Sequence, residues 1–244
     1  ATGRNNEIIH CIGCLNCYAE STHQELNPIQ RACTVNPCNL REEEYYSLTP
    51  TDSPKNILVV GGGLAGMEAA ATLAQRGHHV TLAEKNISLG GQWIVASHGK
   101  EKADYRTLIP TKRRILEQSG AIIKTNCTVD KAYIQAINPD LVIVATGATP
   151  KSLSFNHNFK HINIVQGNDV LMNQATIGKR VAVIGGRFIG MEVAAKLSEE
   201  GKDVAIIDMT DLAKGANPYL TKYYNQRIIK NGVRLYPNCP VIDI

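Results

Sequence analysis

Short apolar runs rich in β-branched residues alternate with stretches of helical period along most of this chain. Ile57-Leu58-Val59-Val60 is one such run, and it meets three successive glycines, Gly61-Gly62-Gly63. A helical pattern follows from Ala69 to Arg76 and stops at Gly77; a second apolar run, Val80 to Ala83, ends on Glu84. Runs of this length bounded by glycine predict strands, and the stretch between them predicts a crossover helix. Arg106 to Gln118 predicts a helix closed by Gly120, while Ile122–Lys124 and Cys127–Val129 predict short strands. Asp140 to Ala145 predicts a buried parallel strand that ends at Thr146-Gly147. Residues 151–178 form a mixed return segment, and then the opening pattern recurs. Arg180–Ile184 predicts a strand, a helix runs to Gly201, and Val204–Ile207 predicts a strand ending on Asp208. Pro218 to Lys230 predicts a helix, followed by strand-like segments around Val233-Arg234-Leu235 and Val241-Ile242.

Strand, glycine turn, helix, strand and acid is the order of a βαβ unit that seats a dinucleotide pyrophosphate at a helix N-terminus. Gly61 lets the chain turn off the strand, Gly63 lets backbone N–H groups reach the phosphates, and Gly66 lets the helix lie close to the sheet. Glu84, about 20 residues on, ends the second strand where a carboxylate meets ribose hydroxyls. Gly90-Gly91-Gln92 brings backbone close to a bound group, and Thr146-Gly147 lies at a strand C-terminus, where open α/β sheets hold ligands. The second unit aligns with the first without a gap. Gly61 pairs with Gly185, Gly66 with Gly190 and Glu84 with Asp208, each pair 124 positions apart (185 minus 61, 208 minus 84). Two such units imply two nucleotides, the arrangement that electron transfer from a nicotinamide to a flavin needs. In the second unit, Gly185-Gly186-Arg187-Phe188-Ile189-Gly190, Arg187 replaces the middle glycine. Its side chain either crowds the pyrophosphate or pairs with it. Asp208 favours NADH, because a carboxylate repels a 2′-phosphate, and Arg187 softens that preference.

Seven cysteines change the picture of the first 54 residues. Cys11, Cys14 and Cys17 form a C-x2-C-x2-C run; Cys33 and Cys38 follow, while Cys127 and Cys239 stand alone. An odd, clustered count argues against a secreted disulfide framework and for a metal or cluster site in a reducing, cytoplasmic compartment. Three thiolates on one turn with a fourth from a returning loop suit a [4Fe–4S] cluster. On spacing alone either Cys33 or Cys38 serves as the fourth ligand. Zinc, with His10 and His23 nearby, and a disulfide such as Cys33 with Cys38 are the competing readings.

The net charge of +4 is mild and does not point to nucleic acid. Lys112-Arg113-Arg114, the one basic run, reads as a solvated helix face. Apolar runs are broken by glycines and none is long enough to span a bilayer. His78, His79, His98, Trp93, Cys127 and Cys239 read as surface or packing residues. Tyr45 and Tyr46 are placed against a domain outside this sequence. The sheet after Asp208 looks incomplete, and the sequence lacks an initiating Met, so the chain is expected to be a piece of a longer polypeptide.

Taken together, Cys11-Ile12-Gly13-Cys14-Leu15-Asn16-Cys17, Cys33-Thr34-Val35-Asn36-Pro37, Gly61-Gly62-Gly63-Leu64-Ala65-Gly66, Gly90-Gly91-Gln92 and Ala145-Thr146-Gly147 resemble one family. It is the old-yellow-enzyme-like iron–sulfur flavoproteins, which include 2,4-dienoyl-CoA reductase, 2-enoate reductases and trimethylamine dehydrogenase. The resemblance covers nearly the whole chain. It implies an α/β fold of two Rossmann-like FAD/NAD(P)-binding βαβ domains, disulfide-reductase-like, the second truncated, preceded by a loop-rich iron–sulfur segment. The implied divisions are 1–54 for the iron–sulfur segment, 55–150 for the FAD domain, 151–178 for the return, and 179–244 for an incomplete NAD(P) domain. Cys11, Cys14, Cys17 and Cys33 would hold the cluster; Ala65, Glu84, Gln92 and Lys100 would contact FAD, and Val129 its adenine. The nicotinamide nucleotide would use Gly185, Gly186, Arg187, Gly190 and Asp208. An FMN-bearing N-terminal TIM barrel, absent here, would carry the substrate pocket. Homo-oligomers are compatible with such a protein.

The implied function is that of an electron-transfer module, passing electrons from NAD(P)H through FAD and the cluster to FMN and an activated C=C bond. No general acid or base for that reduction is visible in this chain. An amine dehydrogenase of the same family, with ADP in the FAD position, is the alternative. A non-catalytic nucleotide-binding module with zinc is a third.

Overall fold

The structure, a computed structural model, describes residues 3, 7–19, 33–45, 48–151, 162–214 and 218–243. The chain divides into two compact units, Ala1–Thr149 and Pro150–Ile244. The stretch 20–32 between Cys17 and Cys33, with His23, lies outside the described residues, as does Tyr46.

The first unit opens with two short helices, α1 (Asn16–Ala19) and α2 (Glu42–Tyr45). Then come β1 (Asn56–Val60), α3 (Leu64–Gln75), β2 (His79–Ala83) and α4 (Trp93–Ala96). After two 3-10 turns, Lys100–Lys102 and Tyr105–Thr107, follow α5 (Leu108–Gln118), β3 (Ile122–Lys124), α6 (Lys131–Ile137) and β4 (Leu141–Val144). The strands form one parallel sheet in the order β3-β2-β1-β4. Its core joins Ile57 and Val59 of β1, Val80 and Leu82 of β2, and Met67, Ala70 and Ala71 of α3 with Leu89 and Leu116. Alanines on α3 let the helix settle close to the sheet. Gly77, at φ +91°, closes it by donating to the Ala74 carbonyl at 2.9 Å.

Three expectations need correction in this unit. Cys127–Val129 is not a strand: Asn126, at φ +52°, breaks the extended path after β3. Asp140–Ala145 is a strand over Leu141–Val144 only, and it is not buried, with Val144 73% exposed. It stands at the sheet edge and pairs on one side, with β1. Lys112 is not on a solvated face; it is 7% exposed. α6 went unpredicted although its ends are marked. Asp130 caps it by accepting from the Tyr133 N–H at 2.8 Å, and Asn138 ends it at φ +47°.

The second unit contains α7 (Gly167–Leu171), β5 (Arg180–Ile184), α8 (Phe188–Glu199), β6 (Asp203–Ile207), α9 (Pro218–Lys230) and β7 (Arg234–Tyr236). Its sheet is parallel, in the order β5-β6-β7. α8 buries Met191, Val193, Ala194, Ala195 and Leu197. It meets α9 through Phe188 edge-on to Tyr224 at 5.6 Å, and Arg227 of α9 forks onto Glu199 at 2.6 and 2.7 Å. Val241-Ile242 is not a strand; Ile242 is 90% exposed. Among the described residues no helix is long and apolar enough to cross a membrane.

Candidate nucleotide turns and cysteine segment

β1 hands the chain to α3 through Gly61, whose N–H continues the β1–β2 ladder by donating to Ala83 O at 2.8 Å. Gly61 sits at φ +110°, and a Cβ there would lie 2.3 Å from the Ala145 carbonyl oxygen. A Cβ on Gly66 would lie 1.9 Å from Gly61 O, so helix and turn are in backbone contact. Around Gly63 there is open space. Gly63 is the N-cap of α3 and offers no side-chain acceptor. The first-turn N–H groups therefore point, with the positive end of the helix dipole, into room suited to an anion. Ala65, exposed in that first turn, borders the same room.

Glu84 is 6% exposed and its carboxylate fastens the turn from beneath. Oε2 accepts from the Gly62 N–H at 2.6 Å, and Oε1 accepts from the Asn86 N–H at 2.8 Å and side-chain amide at 2.7 Å. Oε2, with one donor, retains a second lone pair for a ribose hydroxyl. Gly91, at φ +52°, presses against the turn; a Cβ there would be 3.1 Å from Gly63 Cα. Gln92 donates to the Ala148 carbonyl, which brings it beside Thr146 and Gly147 at the end of β4. Lys100 is exposed in its 3-10 turn, in a loop stitched by Arg106, which donates to Ser97 O and Gly99 O. Val129 is half-buried two residues after Cys127, whose N–H donates to Glu84 O at 2.8 Å.

The second unit repeats the device. Gly185, at φ +101°, donates to Ile207 O at 2.8 Å, and a Cβ on Gly190 would lie 1.8 Å from Gly185 O. Gly186 donates to Asp208 Oδ2 at 2.5 Å. Asp208 Oδ1 accepts from the Thr210 N–H at 2.7 Å and hydroxyl at 2.9 Å. Burial pushes the Asp208 carboxyl up; the Gly186 and Thr210 N–H groups, the Thr210 hydroxyl and the Arg187 charge outweigh it and hold the carboxyl below its ordinary value. Arg187 occupies the α8 N-cap in extended backbone, exposed, and adds a positive charge where the first turn has only glycine. Asn86 and Thr210 escaped the sequence reading. The signal was there, a polar donor two residues after each acid at the same 124-residue offset (210 minus 86).

The cysteine segment packs into the first unit. Ile12 and Val35 are buried with Leu108 of α5, and Cys14, Cys33, Leu64, Trp93 and Tyr105 pack against them. Leu64 begins α3 and Trp93 follows Gln92, so one apolar cluster touches both parts of the first nucleotide turn and two of the thiols. Trp93 stacks on Tyr105 at 5.4 Å and donates to Tyr105 O at 2.9 Å. Gly13 at φ +65° and Leu15 at φ +57° curl the C-x2-C-x2-C run. The Gly13 N–H donates to Cys11 Sγ and the Asn36 N–H to Cys33 Sγ, each at 3.4 Å. All seven cysteines are free thiols, so the Cys33–Cys38 disulfide is not formed. The donor chemistry fits an iron–sulfur cluster: free thiols, N–H groups already aimed at sulfur, and an apolar bed under Cys14 and Cys33. The structure does not gather Cys11, Cys14, Cys17 and Cys33 into a ligand set. Among the described residues no three His, Cys, Asp or Glu stand together as metal ligands.

Two glycine turns, each with a parallel βαβ unit and a buried strand-end acid, define a two-nucleotide oxidoreductase architecture. The chain belongs to the pyridine nucleotide-disulphide oxidoreductase family, which it matches over residues 38–106 and 55–244. Membership supports FAD and NAD(P)H as its cofactors. It is 39% identical to a cinnamate reductase of Clostridium sporogenes over 196 residues, 80% of this chain and 29% of that one. It is 37% identical to an NADH oxidase of Thermoanaerobacter brockii over 236 residues, 95% of this chain and 36% of that one. Among solved structures, a 2-naphthoyl-CoA reductase in complex with 2-naphthoyl-CoA superposes with a TM-score of 0.78 at 27% identity, covering 88% of this chain and 33% of that one. The chain thus spans about a third of the length of these relatives. They agree with the resemblance to old-yellow-enzyme-like reductases read from the motifs.

Proposed function

We propose that this chain is the electron-transfer part of a larger flavin oxidoreductase that reduces an activated C=C bond, such as an enoate or dienoyl-CoA. The Gly61–Gly66 turn would hold FAD and the Gly185–Gly190 turn NAD(P)H; Cys11, Cys14, Cys17 and Cys33 would hold a [4Fe–4S] cluster. Bound together, these groups supply hydride transfer between nucleotides and one-electron transfer onward to FMN in a barrel domain of the same polypeptide. The residues of this chain bind and orient. First-turn N–H groups of α3 and α8 receive the diphosphates, Glu84 and Asp208 receive ribose hydroxyls, and Gln92 fixes the Gly91 segment against Ala148 at the end of β4.

The observation that carries this reading is the apolar cluster of Ile12, Val35 and Leu108, because Cys14, Cys33, Leu64 and Trp93 all pack on it. Two of the thiols and both parts of the first nucleotide turn thus share one apolar bed. The test is anaerobic purification with assay of nucleotide, iron and sulfide. FAD with about four irons per chain supports the reading. Zinc at the cysteines, or ADP in place of FAD, overturns it.

A further inference from the structure

Lys112 has no place in either nucleotide turn, yet its side chain is 8% exposed on α5. Its ammonium donates to Glu68 Oε2 at 2.7 Å and to the Val35 carbonyl at 3.1 Å. The two acceptors sit on different segments. Glu68 is the fifth residue of α3, the helix whose N-terminus faces the first nucleotide room. Val35 lies in the Cys33–Asn36 turn, where the Asn36 N–H donates to the Cys33 thiol. One turn before Lys112, Leu108 shares its apolar cluster with Val35 and Ile12, so α5 meets the cysteine segment by packing and by charge at once. An ammonium shielded in this way is costly unless each acceptor is held in register. A shift of α3 against α5 would break the ion pair, and a shift of the Cys33 turn would strand the Val35 carbonyl.

We propose that Lys112 is a positioning residue that couples nucleotide occupancy on α3 to the placement of the Cys14 and Cys33 thiols. A diphosphate fixed at the α3 N-terminus holds Glu68, Glu68 holds Lys112, and Lys112 holds the Cys33 turn against α5, from where its thiol would close on iron with the others. This rests on the reading of the cysteines as cluster ligands. Coupling of this kind is reciprocal: iron at the thiols tightens the nucleotide to the same degree.

The test compares the FAD- and iron-loaded protein with its Lys112→Met and Lys112→Arg variants. In the wild type, FAD raises the chelator concentration that removes half of the iron at equilibrium by about 5- to 150-fold. In Lys112→Met that factor falls to near one while far-UV dichroism is unchanged, and Lys112→Arg keeps most of it. An undiminished FAD effect in Lys112→Met overturns the assignment. A second measurement needs no iron. ADP protects Cys33 from iodoacetamide in the iron-free wild type, read by mass spectrometry, and protection is lost in Lys112→Met. A wild type that binds no iron defeats the cluster reading, whereas ADP protection that survives in Lys112→Met defeats the Lys112 assignment by itself. If Lys112→Met does not fold, Glu68→Gln removes the charge on α3 while leaving the Val35 hydrogen bond, and the same outcomes apply.

Discussion

Asp208 carries opposing demands in one carboxylate. It is 7% exposed, which raises its pKa, yet three donors from Gly186 and Thr210 and the charge of Arg187 lower it further than burial raises it. A folded-state pKa below the unfolded one stabilises the fold in full above the ordinary carboxylate range. That contribution is lost as the pH falls through the folded value. The unfolding free energy of the wild type should therefore exceed that of Asp208→Asn at neutral pH. The gap should narrow as the pH drops below about 4 in denaturant titrations. A gap independent of pH would show that the charge contributes nothing. Lys112 is the cationic counterpart in the first unit. Replacing it with Met leaves the Val35 carbonyl and the Glu68 carboxylate without this donor, a cost of about 1–3 kcal/mol. Neither burial was written in local sequence. Lys112 sits in a basic triplet with Arg113 and Arg114, and only the packing of α5 against the cysteine segment separates it from them.

At the level of elements, the device that matters is backbone contact between a strand end and a helix start. In both units the third glycine of the turn, Gly66 or Gly190, lies where a Cβ would sit under 2 Å from the carbonyl oxygen of the first, Gly61 or Gly185. Gly66→Ala must push α3 off the turn. We expect a loss of about 1–3 kcal/mol in stability and, more tellingly, loss of bound FAD at matched folded fraction, measured by flavin absorbance. Gly63→Ala meets open space and should retain the fold while hindering the diphosphate, so FAD affinity falls with little change in melting temperature. Strand and helix existence was legible here because period and glycine placement are local properties. β4 shows where legibility ends. Leu141-Val142-Ile143-Val144 reads as a buried strand by composition, but burial depends on what lies beside it, and β4 pairs only with β1.

At the level of the whole molecule, each unit carries its own sheet, core and glycine turn. A ligand that binds one unit should stabilise that unit by mass action, about 2.7 kcal/mol at a hundredfold excess over its dissociation constant. In calorimetry, ADP or FAD and NADH should raise different transitions. Asp208→Asn should abolish the NADH shift and leave the FAD shift intact. A single transition moved equally by both ligands, in wild type and variant alike, would show that the turns do not act separately.

The sequence by itself determined the two βαβ units, their glycine turns, their strand-end acids and the 124-residue repeat. These follow from backbone sterics and hydrophobic period, which a chain states residue by residue. It also marked the cysteine run and, through it, the family. Tertiary structure alone decided that Glu84 and Asp208 brace their own turns through Gly62 and Gly186, that the cysteine segment shares an apolar bed with Leu64 and Trp93, and that Lys112 is buried between α3 and Val35. Those outcomes depend on residues far apart in the chain meeting in space; Val35 and Lys112 are 77 positions apart (112 minus 35). No local pattern encodes a contact whose partners are chosen by the packing of three separate segments.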